Sequence, residues 1–399
     1  MTDNRKPVWH GIVLIAGGSI GAGVFALPMV AAGMWFSWAV FGLIFIWAFT
    51  FCAAKLLAEV NFGFPVGASF HTIVRNVLGP TWAWINDVSI AFIMVILMYA
   101  YITAGAGIIQ SSLSTLLGAS GTAPPAFLSV VFAVLIGVFV WLGTTLVSRI
   151  TSVFLLGLAL TFVLAIAEMM AHADWQALLP SDEESTYVRF LWSAIPVFVT
   201  AFACAGLVPS LVQHYQEEPH KVTMSLFCGT LAVLLIYGIW LATSFSSLAR
   251  EEFGIVIEQG GKIEQLVGAL RQTSTDQTLA YLLKWFSHFA IVTSFLSIGL
   301  GLFHFLSDAL NLRSGRMARA KAAVLTFLPP ALMSVFLPYG FVKAIGLAGL
   351  LVAFSFFIVP AWMYVRQRGV HTSAVLVMCF GVLIATLKVL LLLKLLPEF

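Results

Sequence analysis

The sequence predicts an all-α integral membrane protein with eleven transmembrane helices. Of its 399 residues, 61% are hydrophobic and 9% are charged, and the mean hydropathy is +1.02. A soluble domain carries about 25% charged residues, so this chain has too few charges to cover a surface that faces water. Its apolar residues also fall into runs of about 20, the length that crosses the hydrocarbon core of a bilayer.

Eleven apolar runs are separated by charged residues or by breaks rich in proline and glycine. Their approximate bounds are 9–32, 36–60, 81–112, 126–146, 149–171, 188–214, 221–248, 277–309, 320–338, 341–365 and 372–396. The first run is longer than the apolar core of a signal peptide, so we expect it to remain as a membrane helix. The short loops leave no room for a separate soluble domain.

The lysine and arginine residues of the loops predict the orientation, because they are enriched on the cytoplasmic side. With a cytoplasmic N-terminus, twelve fall on that side and six on the other. The twelve are Arg5, Lys6, Lys55, Arg75, Arg149, Lys221, Arg313, Arg316, Arg319, Lys321, Arg366 and Arg368, and the six are Arg189, Arg250, Lys262, Arg271, Lys343 and Lys394. An odd number of spans then predicts a C-terminus on the outer side.

The first and sixth spans contain residues that interrupt helices. The first holds Gly17-Gly18-Ser19-Ile20-Gly21-Ala22-Gly23, and the sixth holds Phe202-Ala203-Cys204-Ala205-Gly206 followed by Pro209. Glycine costs about 1 kcal/mol and proline about 3 kcal/mol relative to alanine inside a helix, so both spans are predicted to be discontinuous. Irregular backbone is tolerated at membrane depth only where it is buried in protein or lines a cavity. The two breaks therefore predict a cavity.

The broken spans lie five spans apart, and a repeated block of five spans must insert its second copy upside down. We therefore expect an inverted repeat, with helices 1–5 in residues 9–171 and helices 6–10 in residues 188–365. Residues 372–396 would form an accessory eleventh helix. The long loop after the second span of each block contains a short amphipathic stretch, 69–77 in the first block and 262–270 in the second.

A broken helix exposes free N–H groups at the start of one half and free carbonyls at the end of the other, with opposite partial charges. The N–H groups suit a carboxylate and the carbonyls suit an ammonium, so the breaks fit a zwitterionic amino acid. The alternative is that the glycines only allow close helix packing, since Gly17 and Gly21 have the small-xxx-small spacing. Two breaks at matching positions favour a binding site.

Other classes of function have less support. Residues 17–21 match the hydrolase pattern G-x-S-x-G, but no strand precedes them as that motif requires. The net charge of +3 gives no reason to expect a nucleic-acid partner. The four cysteines lie in apolar runs without the spacing of metal ligands, so neither a metal nor a cofactor is expected. A channel and a membrane-embedded enzyme remain alternatives of a different class.

Several segments resemble the bacterial hydroxy/aromatic amino acid permease family, which contains the tryptophan and tyrosine permeases. They are SIGAGVFALP (19–28), SIAFIMVILMYAYITAGAGI (89–108), VPS (208–210), TSFLSIGLGLFHFLSD (293–308) and TFLPP (326–330). The resemblance covers essentially the whole chain, and AGMWFSW (32–38) is nearer to the tryptophan permeases. It implies a LeuT-type 5+5 inverted repeat in the bacterial inner membrane that imports an aromatic amino acid, tryptophan first, by proton symport.

The resemblance leaves sodium coupling and a preference for tyrosine or phenylalanine as alternatives. The chain also departs from the family at two positions. The family has a histidine in the sixth span where this chain has Ala205, and an acidic residue in the eighth span where this chain has His304. The coupling residues of the family therefore do not transfer directly to this chain.

Two aromatic residues are candidates for contact with a substrate ring. Tyr99 and Tyr101 point about 200° apart on a helix, and Tyr101 is chosen because small and polar residues follow it. Phe202 is chosen because it opens the second break. The predicted substrate-binding set is thus Gly17, Gly18, Ser19, Ile20, Gly21, Ala22, Gly23, Tyr101, Phe202, Ala203, Cys204 and Gly206.

The candidates for ion coupling are polar residues inside the spans, which are costly there unless they are paired or functional. His304 is the main candidate, because an imidazole changes protonation near pH 6.5. For Glu59 the alternative is an ion pair with Lys55 one turn away, and for Asp308 it is an anchor to the basic run that follows. Ser294 is the candidate for a sodium site.

Overall fold

A computed structural model describes residues 6–117, 123–179, 184–216, 218–272, 277–310, 312, 315–337 and 340–397. Within these ranges the chain is helical and contains no strand. The helices are α1 (Val8–Ser19), α2 (Ala26–Ala31), α3 (Trp35–Asn61), α4 (Phe70–Leu78), α5 (Pro80–Leu117), α6 (Pro125–Leu142), α7 (Thr144–Ala171), α8 (Glu184–Tyr187), α9 (Leu191–Ala201), α10 (Val208–Tyr215), α11 (Pro219–Ser247), α12 (Arg250–Glu258), α13 (Ile263–Gln272), α14 (Gln277–Ala309), α15 (Arg316–Phe336), α16 (Phe341–Ala353), α17 (Val359–Arg368) and α18 (Thr372–Leu392).

Nine helical stretches in the described ranges are long and apolar enough to cross a membrane, and the bent pair α1 and α2 makes a tenth. The predicted ninth span corresponds to α15, which does not meet this criterion because Arg316, Arg319 and Lys321 lie in its first six residues. The all-helical membrane class is thus confirmed, and the total of eleven spans remains a prediction.

The outer faces of these helices carry large apolar side chains. On α7, Val153, Leu156 and Val163 are 65%, 74% and 62% exposed. Such a surface is compatible with hydrocarbon and would be unfavourable in water. The long helices therefore have the surface of a protein that lies in a bilayer.

Most helix boundaries agree with the apolar runs to within a few residues, and the largest differences lie at the end of α5 and between α6 and α7. The sequence places the boundary between the fourth and fifth spans at about residues 147–148, whereas α6 ends before Gly143 and α7 begins at Thr144. Gly143 has a φ of +141°, a conformation that glycine adopts without the steric strain of a side chain. The amphipathic stretches of the two long loops do form helices, α4 and α13.

The first span is interrupted as predicted, but over fewer residues. Gly17, Gly18 and Ser19 are helical and form the last turn of α1. The break starts at Ile20 and Gly21, which are extended, and a 3₁₀ turn over Ala22–Phe25 leads into α2. The two halves are bent by 60°. Gly17 and Gly18 stay helical because the Ile20 N–H still donates to the Ala16 carbonyl, at 2.9 Å.

The sixth span is interrupted where the sequence predicts it. The α9 helix ends at Ala201, residues 202–204 leave the helix, and a 3₁₀ turn over Ala205–Leu207 leads into α10. Pro209 lies in the first turn of α10, where its missing N–H is not needed.

Tyr237 of α11 connects the two breaks. Its hydroxyl lies 3.0 Å from the carbonyl oxygen of Ser19 and 2.9 Å from that of Ala201. These carbonyls end α1 and α9 respectively, and the Tyr237 side chain is fully buried. One turn further along α11, the Trp240 indole donates to the Val24 carbonyl at 3.1 Å. The α11 helix thus supplies donors to both interrupted spans.

Replacing Gly21 by alanine is expected to destabilise the protein through a single close contact. A Cβ at Gly21 would lie 2.5 Å from the Ser294 hydroxyl oxygen on α14, and overpacking of this kind costs about 1–3 kcal/mol. Thermal unfolding in detergent should show a lower midpoint for Gly21→Ala. Gly23→Ala is the matched control, since a Cβ there has no neighbour within 4 Å. Ser294→Ala has a cost of its own, because its hydroxyl is hydrogen-bonded to Tyr101, but in that background Gly21→Ala should lower the midpoint no further. An equal drop from Gly21→Ala with and without Ser294→Ala would refute the contact.

Replacing Tyr237 by phenylalanine removes the hydroxyl between the Ser19 and Ala201 carbonyls and keeps the ring. Leaving a buried acceptor without its donor costs about 1–3 kcal/mol, so the thermal midpoint in detergent should fall. Tyr281→Phe, at a tyrosine that is 60% exposed on α14, should leave the midpoint unchanged. Equal midpoints for Tyr237→Phe and the unmodified protein would show that the two carbonyls do not depend on this hydroxyl.

Candidate functional site

A cavity of about 350 Å³ lies between the two breaks. Its volume falls within the range of small-molecule sites, about 300–1,000 Å³. It is lined by Gly17, Gly18, Ser19, Ile20, Gly21, Gly23, Ile90, Ile93, Met94, Leu97, Tyr101, Thr151, Leu155, Thr200, Ala201, Ala203, Gly206, Leu207, Thr293, Ser294, Ser297, Ile298, Ile345 and Phe356. The irregular backbone thus borders a cavity, as expected for non-helical segments at membrane depth.

The first break presents peptide groups of both polarities to the cavity. Ser19 ends α1, and the last carbonyls of a helix lack partners within it. The residues after the break begin a new helical segment, whose first N–H groups also lack partners within it. The Ser19 hydroxyl is not available as a nucleophile at a strand-to-helix elbow, because it lies in α1 and donates to the Ile15 carbonyl at 2.8 Å.

The second break contributes small side chains and touches the first one. A Cβ at Gly18 would lie 2.5 Å from the Leu207 side chain, so the ends of α1 and the second break are in direct contact. Thr200 donates its hydroxyl to the Pro196 carbonyl at 2.8 Å and lies 3.1 Å from the Ile345 carbonyl. This hydroxyl ties the end of α9 to α16.

Hydrocarbon side chains of α5, α7, α14 and α16 form an apolar wall of the cavity. They are Ile90, Ile93, Met94 and Leu97 of α5, Leu155 of α7, Ile298 of α14 and Ile345 of α16. Tyr101 completes this wall, and its hydroxyl is hydrogen-bonded to Ser294. A cavity lined by both the irregular backbone and apolar side chains suits a small molecule with a charged end and an apolar end.

The two neighbouring tyrosines of α5 have different roles, as the helical spacing predicts. Tyr101 lines the cavity. Tyr99 faces elsewhere and donates its hydroxyl to the Leu337 carbonyl at 2.7 Å. Tyr101 is therefore the tyrosine at the cavity, and its contact with a substrate ring remains a prediction.

Two residues of the predicted binding set do not line the cavity. Phe202 is 1% exposed and packs edge-on against the Tyr237 ring, with centroids 5.1 Å apart. Cys204 is fully buried. Both side chains point into the protein because the chain turns sharply at the break, where the Cys204 N–H donates to the Phe202 carbonyl at 2.6 Å. Ala22 begins the 3₁₀ turn of the first break, and its side chain lies outside the described part of the chain.

The coupling candidates lie in different places. Ser294 lines the cavity. Glu59 pairs with Lys55 at 3.8 Å, as the alternative for this residue predicts. His304 is exposed near the end of α14, with its ring nitrogen 3.3 Å from the Thr144 hydroxyl, and Asp308 is exposed one turn beyond it. The structure brings Ser294 alone of these four to the cavity, and the coupling roles remain predictions.

Four residues of this region are not among the predicted ones, and of these only Lys388, a charged residue inside the predicted eleventh span, has a signal in the sequence. Tyr237 and Trp240 lie in an apolar run that looks like an ordinary span, and aromatic residues make up 14% of the chain. Thr151 lines the cavity, and its buried hydroxyl has no hydrogen-bond partner. Lys388 of α18 is 8% exposed, and it lines a second cavity of about 250 Å³ with residues of α2, α9, α16 and the turn between α12 and α13.

Known proteins resemble this chain over nearly its whole length. A model of the tryptophan/tyrosine permease family matches residues 4–396. A tryptophan-specific transport protein of Pseudomonas aeruginosa (strain UCBPP-PA14) is 37% identical over 100% of this chain and 98% of its own length. A low affinity tryptophan permease of Escherichia coli (strain K12) is 34% identical over 98% and 95%. A tyrosine permease of Enterobacter agglomerans is 33% identical over 92% and 88%.

These relatives are transport proteins and not enzymes. The matched region includes both helix breaks and every residue that lines the cavity between them. The resemblance found in the sequence is therefore confirmed, and the chain belongs to the tryptophan/tyrosine permease family.

Proposed function

We propose that this protein is a secondary active transporter that imports an aromatic amino acid, most of all tryptophan, by proton symport. The cavity between the two breaks carries the proposal, because its backbone can hold both ends of a zwitterion without a fixed side-chain charge. An ion pair at this depth would have a large desolvation penalty. The apolar side chains of α5 and α7 would then surround the aromatic ring.

The polarity of the two half-helices sets the orientation of the substrate. The N-terminal end of the segment after the first break carries a partial positive charge and would bind the carboxylate. The carbonyls that end α1 and α9 would bind the ammonium group. Tyr237 donates one proton between the Ser19 and Ala201 carbonyls, so acceptor capacity remains on both oxygens.

A LeuT-type inverted repeat is part of the proposal, and helix packing supports it. The broken helix α1 packs on α11, the second helix of the second block, and the broken helix α9 packs on α3, the second helix of the first block. Likewise α5 packs on α16 and α14 packs on α7. If the two blocks of five are exchanged, the contact of α1 with α11 becomes that of α9 with α3. In the same way, the contact of α5 with α16 becomes that of α14 with α7. In this scheme α15 is the ninth of eleven spans and α18 is the accessory helix.

We infer an inner-membrane location with the N-terminus in the cytoplasm and the C-terminus in the periplasm. The twelve-to-six distribution of loop lysines and arginines supports this orientation. Importing a zwitterion with one proton moves one net positive charge inward. A membrane potential of 100 mV contributes about 2.3 kcal/mol to that movement, enough for concentrative uptake.

Sodium coupling is the second candidate, because Thr293, Ser294 and Ser297 bring hydroxyl oxygens to the cavity. Hydroxyls and broken-helix carbonyls together could hold a monovalent cation without a fixed charge. The proton is preferred because this chain resembles proton-coupled permeases. Uptake into proteoliposomes with a pH gradient or with Na⁺ distinguishes proton coupling from sodium coupling.

Proteoliposomes with an imposed pH gradient test the proposed function. Labelled tryptophan should accumulate above its external concentration, and a protonophore should abolish the accumulation. Accumulation that needs external Na⁺ and survives the protonophore would replace the proton by sodium. Uptake that only equilibrates tryptophan across the membrane would contradict active transport.

The backbone site predicts that a competitor must carry both charged groups. Tryptamine lacks the carboxylate and indole-3-propionate lacks the ammonium, so each leaves one set of peptide groups unpaired. A lost charge-assisted hydrogen bond costs about 1.5–3 kcal/mol, which corresponds to roughly a tenfold to hundredfold weaker inhibition of labelled tryptophan uptake. Unlabelled tryptophan is the control. Inhibition by either analogue as strong as that by tryptophan would refute recognition of both ends.

A further inference from the structure

Glu264 is a half-buried acidic residue in a loop helix, outside the candidate membrane spans. It lies in the first turn of α13, which packs against α5, α12 and α14. Its carboxyl group rests on the backbone of Gly107 in α5, where an added Cβ would overlap both carboxyl oxygens. The Oε1 atom is buried and has no hydrogen-bond partner. The contact therefore leaves no room for a side chain at position 107. It also leaves the Oε1 atom of Glu264 without a hydrogen-bond partner.

The surroundings of this carboxyl group contain little that would stabilise a negative charge. The nearest positive charge acting on it is Lys262, two residues earlier. The part of α5 that faces it, from Tyr101 to Leu117, has no charged residue. The other ionisable groups on the packed elements are Asp87, Tyr99 and Tyr101 of α5, Arg250, Glu251, Glu252 and Glu258 of α12, Arg271 of α13, and Tyr281, Lys284, His288, His304 and Asp308 of α14.

Burial raises the pKa of Glu264 to about 7, against the opposing effects of its own backbone N–H and of Lys262. A neutral carboxylic acid can be buried with an unsatisfied oxygen far more easily than a carboxylate can. Packing of α13 on α5 therefore favours the protonated form. The packing is strongest below the ordinary pKa of glutamate, weakens as the pH rises from there to about 7, and is weakest above that value.

The position of α13 connects this carboxyl group with the transport path. Gly107 lies six residues after Tyr101 on α5, about 9 Å along the helix at 1.5 Å per residue. The turn between α12 and α13 lines the second cavity, beside residues of α2 and α9, which follow and precede the two breaks. Movement of α13 would thus change how much of α2 and α9 is covered beside the second cavity.

We propose that Glu264 is a proton-binding group of this permease, which takes a proton from the outer solution when α13 packs on α5 at Gly107. The carboxylate and one proton form the neutral acid, so packing of α13 on α5 is linked to proton uptake. This inference rests on the proposed proton symport and names a residue that performs it.

The full-length protein with Glu264→Gln tests this assignment in proteoliposomes. Glutamine resembles the neutral acid in shape and cannot release a proton. Accumulation of labelled tryptophan driven by a pH gradient should be lost, whereas exchange of labelled for unlabelled tryptophan without a gradient should persist and no longer change around pH 7. The matched control is Glu252→Gln, at an exposed residue of α12, which should retain both gradient-driven accumulation and the pH dependence of exchange.

Unchanged gradient-driven accumulation in Glu264→Gln, with a functional unmodified protein, would overturn the assignment and leave proton symport intact. Loss of proton-driven accumulation in the unmodified protein itself would instead overturn the proposed function. Gly107→Ala provides a second test that keeps the acid, and it decides the matter if Glu264→Gln does not fold. Its methyl group should force the carboxyl toward water and move the pH midpoint of exchange to more acidic values. An unchanged midpoint would contradict the inference.

Discussion

The hydroxyl of Tyr237 joins the two points at which the membrane-embedded backbone leaves the α-helix. Peptide groups without partners are costly in hydrocarbon, so irregular backbone persists there only where the protein supplies partners or a cavity. The Tyr237 hydroxyl and the Trp240 indole supply donors on one side of the breaks. The residues of both breaks also line the cavity, and we propose that the peptide groups left unpaired there hold the bound molecule.

Binding of the substrate by peptide groups would explain why the cavity can be poor in charged side chains. Among the lining residues, there is no aspartate, glutamate, lysine, arginine or histidine. A zwitterion brings both charges with it and needs only dipoles of matching polarity, which the half-helices provide. A fixed ion pair in the same place would have to be desolvated in every empty state of the transport cycle.

The sequence predicts the helices and the breaks well because both have a local physical cause. Apolar length determines a span, and clustered glycines or a proline determine an interruption, so α14 begins and ends at the predicted residues 277 and 309. The residues over which a break extends depend less on the local sequence. Gly17 and Gly18 remain helical despite their propensity, because the last hydrogen bonds of α1 are still made.

The side chains that complete the site depend on tertiary packing and could not be predicted. Tyr237 looks like any other aromatic residue of a span until α11 is placed beside α1. Phe202 opens the second break in the sequence, yet the turn there directs its side chain toward Tyr237. Glu264 lies in an amphipathic loop segment, and only the packing of α13 on Gly107 reveals that its carboxyl group is buried.

The central claim is that peptide groups of the two breaks hold the substrate, and a structure with bound tryptophan tests it most directly. We expect the ammonium within hydrogen-bonding distance of the carbonyls that end α1 and α9. The carboxylate should lie at the N–H groups after Gly21, with the indole against α5. Tryptophan bound instead in the second cavity, with its carboxylate on Lys388 and the two breaks empty, would contradict the account.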